Sequence, residues 1–96
     1  MRALVIEDDE SVATLNRRLL ELEGFAVDMA MTAADGQRFA GSAEYDLIVL
    51  DVNLPDGSGL DVLSAVRQES MRTAVLIVSG ADELDGVKRK TRPSNL

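Results

Sequence analysis

Apolar positions along the chain fall into two kinds of run. Leu47, Ile48, Val49 and Leu50 stand together without alternation, as do Ala3 to Ile6 and Ala74 to Val78. Unbroken runs of this length suit strands covered on both faces, as in a parallel sheet. Phe25 to Ala30 is a weaker strand, with Val27 and Met29 apolar between polar or small neighbours, the pattern of a sheet edge. Elsewhere the spacing changes to that of helices. Val12, Leu15, Leu19 and Leu22 recur at three and four residues and predict an amphipathic first helix, with Arg17, Arg18, Glu21 and Glu23 outside and Gly24 closing it. Thr32 is placed to cap a second helix to about Ala40, ahead of a turn at Gly41 and Ser42. Leu60, Val62, Leu63 and Val66 mark a third that fades by Ser70. Apolar strands alternating with helices across short loops predict an α/β fold: a doubly wound parallel sheet with helices on both faces and right-handed crossovers.

The strands end on polar residues. Glu7, Asp8, Asp9 and Glu10 follow the first, Asp51 ends the third, and Ser79 and Gly80 terminate the fourth. In a parallel sheet the carboxyl ends share one edge, so these groups form one cluster where open α/β sheets bind ligands. After Asp51, Pro55, Asp56, Gly57 and Gly59 let the backbone turn closely around whatever Asp51 holds. If Asp8, Asp51 and one of Glu7 or Asp9 lie about 4 Å apart, each pair repels by roughly 4 kcal/mol at an effective dielectric near 20. A magnesium ion, satisfied by one or two carboxylates with waters, phosphate oxygens and a backbone carbonyl, neutralises such a cluster and an incoming phosphoryl group with it. An aspartate can then act as the nucleophile, with Ser79 placed to hydrogen-bond the phosphate.

Composition narrows the alternatives. Of 96 residues none is cysteine or histidine, which excludes disulfides, thiolate or imidazole metal sites and Ser-His-Asp chemistry, and leaves oxygen ligands suited to hard cations. The net charge is −7, with all seventeen acidic residues at or before Asp85, while Lys88, Arg89, Lys90 and Arg92 crowd the end. An acidic body disfavours general attraction to nucleic acid or anionic membrane. No apolar run is long enough for a signal peptide or a membrane span, so a cytoplasmic protein is expected. The GSG at Gly57 to Gly59 lacks the third glycine of a dinucleotide fingerprint. Asp9 or Glu10 also has an ordinary role, favouring the first helix dipole.

Jointly, RALVIEDDES, DLIVLDVNLPDGSGLDVL and VLIVSG, in this order, resemble the response-regulator receiver domains of two-component signalling over roughly residues 2 to 81. The resemblance implies a flavodoxin-like fold with strand order 2-1-3-4, and phosphorylation of Asp51 by a histidine kinase, a phosphotransfer protein or a small phosphodonor. It implies that Glu7 and Asp8 are the acidic pair holding magnesium, with Asp8 the stronger ligand, and that Asn53 adds its main-chain carbonyl. The alternative register makes Asp8 and Asp9 the pair. Ser79 resembles the switch hydroxyl that moves toward the phosphate.

The resemblance stops after the fourth strand. Receivers usually close with a fourth helix, a fifth strand ending in a lysine before proline, and a fifth helix. Here only twelve residues separate Ser79 from Arg92 and Pro93, where a helix, a strand and their loops need about 20 to 25. No catalytic lysine is found, and the fifth strand and fifth helix are expected to be missing. The expected organisation is a receiver-like domain over 1–81 and a C-terminal helix or tail over 82–96, the helix around Asp82 to Lys90.

Three functions follow. The leading one is a magnesium-dependent phosphoacceptor module, not an enzyme beyond its own phosphotransfer, whose Asp51 phosphate biases a surface toward a partner, nucleic acid being reached only through an output domain. The second is a receiver-like interaction or dimerisation module that works without phosphorylation. The third, a phosphohydrolase with an aspartyl intermediate, is disfavoured because Asn53, not an acid, sits two residues after Asp51. An unpaired fourth strand is further expected to drive self-association through Ala74 to Val78 and the segment after it.

Overall fold

A computed structural model describes residues 1–70 and 72–78. In chain order these form β1 (Arg2–Ile6), α1 (Glu10–Leu22), β2 (Ala26–Ala30), α2 (Ala33–Ser42), β3 (Leu47–Asp51), β4 (Asn53–Leu54), β5 (Gly57–Ser58), α3 (Gly59–Glu69) and β6 (Ala74–Val78). Four strands make one parallel sheet in the order β2-β1-β3-β6, which is the expected 2-1-3-4 order with β6 as the fourth parallel strand. The expected Ser79, the tail 82–96 and its helix lie outside the described residues.

Alternation within the central strands sorts the core into two layers. Leu4, Ile6, Ile48 and Leu50 face α2 and α3, where Tyr45, Leu54, Val62 and Val66 complete the larger cluster. Val5 and Val49 face the other way, onto Ala13 of α1. Ala3 to Ile6 are 0% exposed, as unbroken runs at the centre of a two-faced sheet require.

The first helix packs on a different face from the one its leucines predict. Leu15, Leu19 and Leu22 are 57%, 52% and 81% exposed, while Ala13 is buried and Leu20 packs beside it. A small residue lets the helix axis approach the sheet, so the docking face is set by Ala13 rather than by the largest side chains. Arg17, expected outside, is half-buried. The fourth parallel strand also departs from its buried reading: β6 pairs only with β3 among the described residues, and of its residues only Val75 is half-buried. The second helix runs through Gly41 and Ser42, past its expected end at Ala40, and Ser42 Oγ donates to Phe39 O at 3.0 Å.

Side chains tie the starts of β1 and β3 to the middle of β2. Arg2 Nη2 and Tyr45 OH both donate to Asp28 Oδ2, each at 2.7 Å, and Arg2 N donates to Asp46 Oδ2 at 2.8 Å. The Arg2 guanidinium also lies 5.3 Å above the Tyr45 ring. Burial, with the Asp28 carboxylate beside it, pushes the Tyr45 phenol up to about 12, so it stays a donor. A groove of about 960 Å³ opens at this amino edge beside Tyr45, Thr73 and the end of α3, far from the strand-end carboxylates.

Candidate functional site at the carboxyl edge of the sheet

Neighbouring central strands end together, and that alone brings the acids of two distant segments into contact. Ile6 pairs with Leu50 in the β1–β3 register, so Glu7 and Asp51 emerge side by side. One carboxylate oxygen from each of Glu7, Asp8 and Asp51 lies within 4.8 Å of the others. Glu7 is 7% and Asp51 3% exposed, while Asp8 faces solvent. The next acid along the chain serves the helix instead. Asp9 is the N-cap of α1, its Oδ1 accepting from Val12 N at 3.1 Å. Glu10 occupies the first turn of the same helix. The structure thus groups Glu7 and Asp8 with Asp51 and leaves Asp9 to α1.

The loop after Asp51 is a small antiparallel ribbon that the apolar pattern does not reveal. Asn53 pairs with Ser58 and Leu54 with Gly57. Leu54 is buried in the larger core cluster, and Asn53 N donates to Asp51 Oδ1 at 3.2 Å. Ser58 caps α3 through Leu60 N. The ribbon closes where Gly59 N donates to Val52 O at 2.8 Å, and a Cβ on Gly59 would press on the Asp51 carbonyl. Asp56, read from sequence only as a turn residue, reaches across to α2 and accepts from Ala33 N and Ala34 N at 2.7 and 3.0 Å. These two bonds hold its carboxyl below the usual carboxylate range.

Burial raises the Glu7 carboxyl to about 7; the Asp9 N–H, 3.1 Å from Oε2, works against this, and the Asp51 charge adds to it. Its ordinary value lies near 4.3. With the folded value raised, the folded chain holds a proton between these pH values that the unfolded chain has released. The resulting stabilisation is full below about pH 4.3 and lost as pH rises through 7. In metal-free buffer, urea unfolding is expected to give a stability lower at pH 8 than at pH 5 by on the order of 2 kcal/mol, solvent screening included. Glu7→Gln, neutral throughout, flattens that slope; an unchanged slope in the variant would assign it to other groups.

Residues 3–92 match the response regulator receiver domain family. The chain belongs to that family. This receiver domain is 42% identical over 85 residues to the cell cycle transcriptional regulator CtrA of Caulobacter vibrioides, a match that covers 88% of this chain and 37% of CtrA. It therefore spans little more than a third of the length of that relative. Among solved structures, a response regulator of Burkholderia pseudomallei with a phosphorylated aspartic acid, calcium ion and citrate superposes with a TM-score of 0.77 at 29% identity, over 82% of this chain and 46% of that one. A CheY-like response regulator receiver domain from Methylobacillus flagellatus gives 0.76 at 33% identity, over 86% and 72%. The sheet order and flanking helices are accordingly those of the flavodoxin-like, doubly wound class. Receiver domains are signalling modules of two-component systems rather than enzymes in the ordinary sense. Among the described residues no helix is long and apolar enough to cross a membrane.

Proposed function

We propose that this receiver domain is a phosphoacceptor that takes a phosphoryl group on Asp51 in a magnesium-dependent reaction, from a histidine kinase or phosphotransfer protein. The observation that carries the reading is the packing of Glu7, Asp8 and Asp51 within 4.8 Å at the carboxyl edge. The donor set is all oxygen and suits a hard divalent cation. Glu7, Asp8, Asp51 and the Asn53 main-chain carbonyl are the residues assigned to hold magnesium. Bound there, magnesium neutralises phosphoryl oxygens during transfer.

The chain's own groups supply the rest. An Asp51 carboxylate oxygen attacks phosphorus, the bond from phosphorus to the donor nitrogen or oxygen breaks, and the acyl phosphate remains on Asp51. The Asn53 N–H orients the carboxylate for that attack. Ser79, outside the described residues, is assigned the hydroxyl that meets the phosphate and passes its presence to a partner surface. Nucleic acid is contacted only through an output domain. Intact-mass measurement after incubation with acetyl phosphate, with and without magnesium, tests the reading: a magnesium-dependent adduct on Asp51 supports it, and none under any condition leaves the phosphorylation-independent interaction module as the function.

Self-association belongs to the same reading. Leu76, Ile77 and Val78 are 57%, 42% and 39% exposed on the outer strand of the described sheet. Apolar outer strands pair readily with a second copy. Sedimentation equilibrium is expected to show a dimer forming as concentration rises, and Ile77→Lys to suppress it; a monomer at every concentration defeats this part.

A further inference from the structure

We infer that Asp56 is a positioning residue for the site, tying the loop that carries Asn53 to the start of α2; the inference rests on the phosphoacceptor reading above. The first turn of a helix has backbone N–H groups with no partner inside the helix, and one capping side chain ordinarily serves one of them. In α2, Thr32 Oγ1 takes Asp35 N at 3.1 Å, while Gly36 N makes the first intrahelical bond, to Thr32 O at 2.9 Å. The two remaining groups, Ala33 N and Ala34 N, go to Oδ1 and Oδ2 of Asp56, from a loop 23 and 22 residues further along the chain.

Thr32 already provides the local cap, so the loop is the party that gains. β4 and β5 are two residues each, and a ribbon that short has little stability of its own in water. Its turn, Pro55 and Asp56, is fixed from two sides: Leu54 sits in the core, and Asp56 grips α2. The opposite end of the same ribbon carries Asn53, whose N–H holds Asp51 Oδ1. Rigid support runs from the start of α2 through Asp56 and the ribbon to the carboxylate that accepts the phosphoryl group. Mutating groups that orient a metal ligand from outside typically costs about 10- to 100-fold in metal affinity, and Asp56, acting through the ribbon, is placed at the lower end of that range.

Three variants separate this role from plain stabilisation of α2. Asp56→Ala removes both bonds from the loop, Asp56→Asn keeps one oxygen acceptor, and Thr32→Ala removes the other cap of the same helix without touching the loop. Magnesium binding is followed by calorimetry, and amide hydrogen exchange of residues 52–58 is followed without metal. Asp56→Ala is expected to weaken magnesium about tenfold and to speed exchange across the loop, Asp56→Asn to fall between it and the parent, and Thr32→Ala to leave both readouts unchanged while lowering the melting temperature. Equal effects of Asp56→Ala and Thr32→Ala on the two readouts, or none from either, overturn the positioning role. Should the parent bind no magnesium, the phosphoacceptor reading fails, and loop exchange alone then decides the tether: acceleration in Asp56→Ala only upholds it, and any other pattern removes it.

Discussion

Asp51→Asn is expected to abolish the phosphoryl adduct completely while leaving the domain folded. The amide matches the carboxylate in shape and keeps an oxygen to accept the Asn53 N–H, now 3.2 Å away, so the ribbon after β3 has no reason to move. The variant loses the nucleophile: a neutral amide oxygen has neither the charge nor the lone-pair basicity to attack phosphorus. Intact mass reads the loss of the adduct, and urea unfolding checks that the variant stays folded. An adduct persisting in the variant, or mapping to Ser79 by fragmentation, would sink the assignment of Asp51.

Gly59→Ala is expected to be the most damaging single methyl addition, costing about 3 kcal/mol, or about 15 °C in melting temperature for a domain of this size. The added Cβ would press on the Asp51 carbonyl oxygen and lie 3.0 Å from its carbon and 3.1 Å from Val52 Cα. These are backbone atoms, held by the β3 ladder and by the Gly59 N to Val52 O bond, so they have no rotamer to escape into. The strain falls on Asp51 itself, and phosphorylation is expected to slow along with the loss of stability. Gly41→Ala is the control: nothing lies within 4 Å of its Cβ position near the end of α2, and alanine there is neutral or slightly stabilising. Equal melting temperatures for the two variants would show that the β3–α3 junction yields more easily than its geometry implies.

What the sequence discloses depends on whether the deciding contact is local. Ala3 to Ile6 and Leu47 to Leu50 are legible because strands buried on both faces carry unbroken apolar runs, and the parallel register then places Glu7, Asp8 and Asp51 at one edge. The cap at Asp9 is legible because its partner, Val12 N, is three residues away. The packing face of α1 is not: Val12, Ala13, Leu15, Leu19, Leu20 and Leu22 put apolar groups on more than one side, and the sheet selected the small one. The β4–β5 ribbon leaves no periodic trace, since two-residue strands carry no alternation. Asp56 looks like any turn aspartate because the N–H groups it serves belong to a helix start 22 and 23 residues earlier.

The strand order β2-β1-β3-β6 sets a timetable for a chain made from its amino end. β1 lies between two strands that are both synthesised after it, and the bond from Arg2 N to Asp46 spans 44 residues. At translation rates of about 5–20 residues per second, Glu7 and Asp8 exist for roughly 2 to 9 s before Asp51 is added. Until β3 follows, the only described neighbour available to β1 is β2, one flank of its four apolar residues lacks its partner, and Glu7 and Asp8 have no Asp51 beside them. Repulsion between these acids and Asp51 thus begins only when β3 is present and its apolar burial against β1 is available to offset it.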